Sequence, residues 1–167
     1  MAISGSLRNK LIAAAGGGAI LIATVFIGGK DGVEGRVYEP YKDVAGVWTV
    51  CDGHTGSDII KNKRYTDREC DRLLIRDLKP VEKAVNEMVK VPLNDYQQAA
   101  LYSFTYNVGI AAFSKSTLLK KMNTGDQVGA CEELRRWVYA GGMKWRGLMN
   151  RRDMERSMCL ADGPDDI

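Results

Sequence analysis

Two carboxylates and a hydroxyl stand close together near the front of the chain: Glu34, Asp43 and Thr49. Glycosidic cleavage asks for such a set. A protonated carboxyl donates to the leaving oxygen, and an ionised one on the far side of the sugar activates water or attacks directly. A hydroxyl nearby can hold that water in line. The spacing is weak on its own. With 8 Glu, 13 Asp and 7 Thr in 167 residues, one such pattern arises by chance at roughly 3 per cent, and many patterns can be tried. Glu39 is a further carboxylate close by and reads as surface.

The elements that must position these groups begin with an unusual one. Arg8 and Lys10 are the only charges in the first ten residues, and Leu11 to Gly29 carries none. As a helix this stretch would reach ~28 Å, close to the ~30 Å of a bilayer core. Gly and Ala make up 10 of its 19 residues. The drive into lipid therefore rests on Leu11, Ile12, Ile20, Leu21, Ile22, Val25, Phe26 and Ile27. At roughly −0.3 to −0.6 kcal/mol each the sum is about −4 kcal/mol, a marginal insertion. The positive flank places the N-terminus in the cytoplasm and the body outside. The segment after Ile27 offers no A-x-A cleavage site, which favours an uncleaved anchor over a removed signal peptide. Residues 1–29 thus read as a signal-anchor segment and residues 30–167 as a single domain, with Lys30 to Gly35 as a hinge.

Charge and composition exclude several classes. A net +3 is far from the basic stripes of nucleic-acid binders, so no nucleic acid is expected, while attraction to a polyanionic cell wall is compatible. With one histidine the chain lacks the ligands of zinc amidases and peptidases, and neither metal nor cofactor is expected. A Cys-His peptidase would have to use Cys51 and His54, three residues apart in one turn, which suits that chemistry poorly. Four cysteines, Cys51, Cys70, Cys131 and Cys159, all lie beyond the apolar segment. In an exported domain they suggest two disulfides, with three pairings open; buried free thiols are the alternative.

Beyond residue 30 the pattern is mostly helical. Tyr38 to Tyr65 is rich in Gly, Asp and β-branched residues and predicts a small irregular sheet. Thr66-Asp67-Arg68-Glu69 is a capping box opening a helix with apolar positions through Met88 and a kink expected at Pro80. Asn94 or Asp95 caps the next helix, to Gly109. Further helices are expected over about 116–123, 126–139 and 148–160. The fold class is α+β, mostly helical, with the transmembrane helix in front.

The stretch EGRVYEPYKDVAGVWTVCDGHTG, with Gly35, Tyr41, Lys42, Gly53, His54 and Gly56 in place, resembles the phage lysozymes, the endolysins of glycoside hydrolase family 24. The blocks ALYSFTYNVG, STLLKKMNTGD, LRRWVYAGG and GLMNRRDMER follow in the family's order, so the resemblance covers about Val33 to Leu160. The anchor is similar to that of the signal-anchor-release type, secreted while tethered and active once its helix leaves the bilayer.

That resemblance implies a lysozyme-like fold and a monomeric muramidase cutting the β-1,4 bond of peptidoglycan. It implies a single-pass protein of the host inner membrane, held through residues 11–29, then released to the periplasm to lyse the host. Glu34 would be the general acid, Asp43 the base or charge stabiliser and Thr49 the water-positioning group. Arg151, with Arg152 as fallback, would lie near the acid, Asn107 would line the cleft, and His54 would pair with Asp77 structurally. A lytic transglycosylase needs one acid/base glutamate without Asp43 and remains the nearest enzymatic alternative. A tethered, non-enzymatic wall-binding protein is the other.

Overall fold

The computed structural model describes residues 2–167. The uncharged N-terminal stretch is helical, but it is broken in its middle. Helix α1 (Gly5–Ala14) and helix α2 (Gly18–Ile27) flank a short 3-10 turn at Ala15–Gly17. Gly18 takes φ +76°, and a Cβ on Gly17 would collide with the Leu21 side chain, so the break depends on glycine at both places. Among the described residues, Gly5–Ile27 is the one helical segment long and apolar enough to cross a membrane.

In this structure one face of that segment packs into the protein. Leu11, Ile22, Phe26 and Ile27 are fully buried and join the main core. There α2 packs against α3 (Asp67–Met88) and α4 (Asp95–Val108). The polar end of α1 is fastened on the outside. Lys10 meets Asp31 at 2.5 Å, and Arg8 Nε donates to the Ile167 carbonyl at 2.6 Å.

Helix α3 opens on the expected capping box, with Thr66 Oγ1 accepting from the Glu69 amide and Glu69 accepting from the Thr66 amide. It carries Pro80 within its length. Asn94, not Asp95, caps α4. Helix α4 is buried on nearly every face from Tyr96 to Thr105, as a central core helix must be. Helices α5 (Ile110–Ser114), α6 (Thr117–Asn123), α7 (Gln127–Glu133) and α8 (Arg146–Cys159) complete the helical body.

Strands β1 (Val37–Lys42), β2 (Trp48–Cys51) and β3 (His54–Thr55) form the small antiparallel sheet in that order. It has its own apolar cluster around Val50, Ile59 and Tyr65. Of the three possible pairings, the cysteines form Cys51–Cys70, joining β2 to α3, and Cys131–Cys159, joining α7 to α8. Free thiols are thereby excluded.

The helix expected over 126–139 ends early. After α7 comes a 3-10 turn at Leu134–Arg136, then a hairpin of β4 (Tyr139–Ala140) and β5 (Met143–Lys144). Its two-residue turn is Gly141-Gly142 at φ +58° and +77°, a conformation glycine supplies without strain. Trp137 turns inward to meet Phe104 edge-on at 5.2 Å, which takes the chain off the helical path.

Candidate active site

Glu34 sits just past the end of α2, and that helix holds it. The Val33 amide donates to the Phe26 carbonyl at 2.9 Å and the Glu34 amide to the Ile27 carbonyl at 3.3 Å. These are the carbonyls a helix C-terminus leaves open, so the loop carrying Glu34 completes the helix end. Lys30 to Gly35 is accordingly a tight turn against α2 in this structure, with Gly32 too close to the Ile27 and Gly28 carbonyls for a side chain.

The Glu34 carboxylate receives a hydrogen bond from Arg151 Nη1, on α8. Arg151 is itself buried. Its Nε donates to Glu155 Oε1 at 3.0 Å, and its Nη2 to the Ser103 carbonyl at 3.0 Å. Glu155 is fully buried and also accepts from Ser103 Oγ at 2.7 Å. Burial works against the charge on Arg151, but the Glu155 and Glu34 carboxylates outweigh it and raise its pKa. Arg152 takes a different partner: its Nη2 donates to Asn107 Oδ1 at 2.6 Å while its guanidinium lies over the Phe104 ring at 5.1 Å. Arg152 Nε is 3.0 Å from Glu155 Oε2, an ion pair by distance whose alignment falls short of a hydrogen bond.

Two adjoining cavities share Glu34 and Asn107. The first, about 370 Å³, is polar, with Gly53, Thr55, Asp77 and Tyr106. The second, about 460 Å³, is largely apolar, with Val33, Val44, Ala140, Trp145 and Leu148 beside Arg151. Glu34 therefore stands in the middle of one elongated cleft. Gly53, at φ +87°, lets the β2–β3 turn close on it, because a Cβ there would come 2.9 Å from Glu34 Oε1. Tyr106 donates to the Asp52 carbonyl at 2.7 Å, and burial, then the Glu34 charge, raise its pKa far above the ordinary phenol value.

Asp43 and Thr49 lie one step back from the cleft, each beside a residue that lines it. Asp43 is half-buried in the β1–β2 turn, where its Oδ1 accepts from the Ala45 and Val47 amides at 2.8 and 2.9 Å. Its neighbour Val44 lines the apolar cavity. Thr49 is 4% exposed and donates to the Val47 carbonyl at 3.0 Å. It pairs across the sheet with Thr55, which lines the polar cavity, so both side chains share one sheet face. Of the triplet, Glu34 lines both cavities, and Asp43 and Thr49 line neither.

His54 Nδ1 lies 2.7 Å from Asp77 Oδ2 and its Nε2 lies 2.9 Å from Asp58 Oδ1. Both ring nitrogens are thus occupied, which leaves neither for chemistry in the cleft. Glu39 is exposed and paired with Arg64. Among the described residues, no group of three His, Cys, Asp or Glu side chains is placed to hold a metal.

The family model for phage lysozyme matches residues 31–155. Over 163 residues the chain is 56% identical to the SAR-endolysin of Bacteriophage PS119, covering 96% of this chain and 98% of that one. The chain belongs to the phage lysozyme family. A crystal structure of a P22 lysozyme variant is similar to this chain at 30% identity and TM-score 0.72, covering 96% of this chain and 99% of the other. The muramidase domain of SpmX from Asticaccaulis excentricus is similar at 28% identity and the same TM-score, covering 95% and 97%.

Four groups around the cleft did not stand out as site residues in the sequence. Glu155 was findable, since it lies four residues after Arg151 on one helix face. Ser103 and Tyr106 gave no signal, being ordinary members of an apolar helix. The fourth is the Arg36–Asp52 pair, two residues past Glu34. Arg36 Nη2 donates to Asp52 at 2.7 Å and to Asp71 at 2.7 Å, and Nη1 donates to Asp67 at 3.0 Å. Burial pushes the Asp52 carboxyl up while the Arg36 charge opposes it.

Proposed function

We propose that this protein is an endolysin muramidase that hydrolyses the β-1,4 bond between N-acetylmuramic acid and N-acetylglucosamine in bacterial peptidoglycan. The observation that carries this reading is Glu34 at the centre of an elongated cleft with its carboxylate on a buried arginine. In the reaction Glu34 gives its proton to the leaving glycosidic oxygen, and the carboxylate it becomes is the species Arg151 stabilises. Asp43, fixed by two turn amides, faces the developing positive charge of the sugar or activates water, and Thr49 positions that water. Glu34→Gln is expected to abolish lysis of purified walls with an unchanged melting temperature. Undiminished cleavage by that variant would remove Glu34 from the mechanism. The product end identifies the reaction: a free reducing N-acetylmuramic acid supports hydrolysis, and a 1,6-anhydro end supports a transglycosylase.

Control follows from the N-terminal segment. Before release, residues 11–29 cross the host inner membrane with the N-terminus in the cytoplasm and residues 30–167 in the periplasm. In that state the Phe26 and Ile27 carbonyls are at the bilayer, and the Val33 and Glu34 amides bonded to them hold Glu34 at the membrane and away from Arg151. Release, docking of α2 and placement of Glu34 are then one event. The backbone bonds between the end of α2 and Glu34 support this reading.

A further inference from the structure

The two halves of the cleft differ in chemistry. On one side of Glu34 the wall offers hydrogen-bonding groups; on the other it offers apolar surface and an indole. A glycan strand whose scissile bond lies at Glu34 must run into both halves. The apolar half can hold only the apolar part of a sugar, which is the C–H face of its pyranose ring.

Trp145 is prepared for that role before any ligand arrives. It lies between β5 and α8, with about half of its surface exposed (52%) on the wall of the cavity that also holds Arg151. Its rim is pinned: Nε1–H donates to the Ala140 carbonyl at 3.0 Å, and its backbone amide to the Val138 carbonyl at 2.9 Å. An aromatic ring exposed at a cleft but fixed at its polar edge loses little freedom on binding. Val44, fully exposed at the tip of the β1–β2 turn, lines the same cavity from the sheet. It has nothing to pack on in the free protein.

We propose that Trp145 is the platform of a sugar subsite on the Arg151 side of Glu34, stacking on one pyranose ring of the strand, with Val44 closing on that sugar from the sheet. The assignment rests on the glycosidase reading given above and adds to it the element that grips the neighbouring sugar, the Gly141-Gly142 hairpin and the tryptophan it leads into.

The test measures binding of the Glu34→Gln protein, which leaves the strand uncut, to peptide-free glycan strands and to soluble N-acetylglucosamine oligomers. Adding Trp145→Ala is expected to weaken binding about tenfold, Trp145→Phe less than about threefold, and Val44→Ala several-fold. Unchanged binding by both alanine variants overturns the subsite. So does a phenylalanine variant as weak as alanine, since the pinned rim and not the ring face would then matter. Melting curves run beside the titrations; if Trp145→Ala fails to fold, Val44→Ala carries the test alone, and its unchanged binding overturns the subsite. Cleavage by Glu34→Gln alone would strike the glycosidase reading, whereas unaltered binding with an inactive Glu34→Gln strikes only the subsite.

Discussion

Arg151 has left water to stand between two carboxylates, and it is stable there because its nitrogens have partners at Glu34, Glu155 and Ser103. Removing it leaves Glu155 with the Ser103 hydroxyl and the poorly aligned Arg152 as its remaining partners. Arg151→Met is therefore expected to cost about 3–5 kcal/mol of stability, read from denaturant unfolding, besides its effect on lysis. A loss under about 1 kcal/mol would mean that the Arg151–Glu155 pair is not felt in the folded protein. Acid sensitivity has its source elsewhere. The Arg76 guanidinium, and then His54, hold the Asp58 carboxyl down at about 2. A carboxylate lowered on folding contributes stability that is complete above its unfolded value near 3.9 and is lost as pH falls through its folded value. Acid unfolding should accordingly gain a contribution between about pH 4 and pH 2 that disappears in Asp58→Asn. An identical acid limb in that variant would show that the pair is not felt in solution.

The turn between β2 and β3 closes on Glu34 at Gly53, so the smallest change there should separate activity from folding. Gly53→Ala adds a methyl against the Glu34 carboxylate and asks alanine to adopt φ +87°. The strain costs of the order of 1–2 kcal/mol, a few degrees in melting temperature, while activity is expected to fall at least tenfold because Glu34 is the group displaced. Equal activity at equal protein would mean that the turn does not set the position of Glu34. The glycine's position within the family stretch was legible in the sequence, and so was much of the framework. The Thr66 capping box, the sheet between Tyr38 and Tyr65 and the Arg151 and His54 partners follow from local patterns or from the resemblance. The β4–β5 hairpin did not, because its four strand residues are all exposed and carry no alternation to read. The Arg36 cluster was also hidden, since Asp52, Asp67 and Asp71 come together only when the turn, the helix start and the Glu34 loop are assembled.

At the scale of the whole molecule, half of the residues that would hold the chain in a bilayer, Leu11, Ile22, Phe26 and Ile27, fill its core, and they cannot do both at once. This is why the sequence could show an apolar segment without showing where it ends up: lipid and core select the same side chains. Magnitudes favour the core. Burying Leu11, Ile22, Phe26 and Ile27 contributes about 1.5–3 kcal/mol each as an upper estimate, against about 4 kcal/mol for inserting the entire segment. On the proposed anchored reading, docking of the released segment is then downhill. Replacing Gly16, Gly17 and Gly18 by Leu acts on both sides of that balance. It adds apolar surface to the inserted form, and it obstructs the docked one, because position 17 has no room for a side chain and position 18 needs φ +76°. The triple variant is expected to stay in the membrane fraction and to delay lysis. A Cβ at Gly16 meets nothing within 4 Å in the docked form, so Gly16→Leu alone should slow release modestly and leave the freed protein active. Fractionation against lysis timing decides the matter: normal lysis by a triple variant found entirely in the membrane would mean that Glu34 works without α2 in the core.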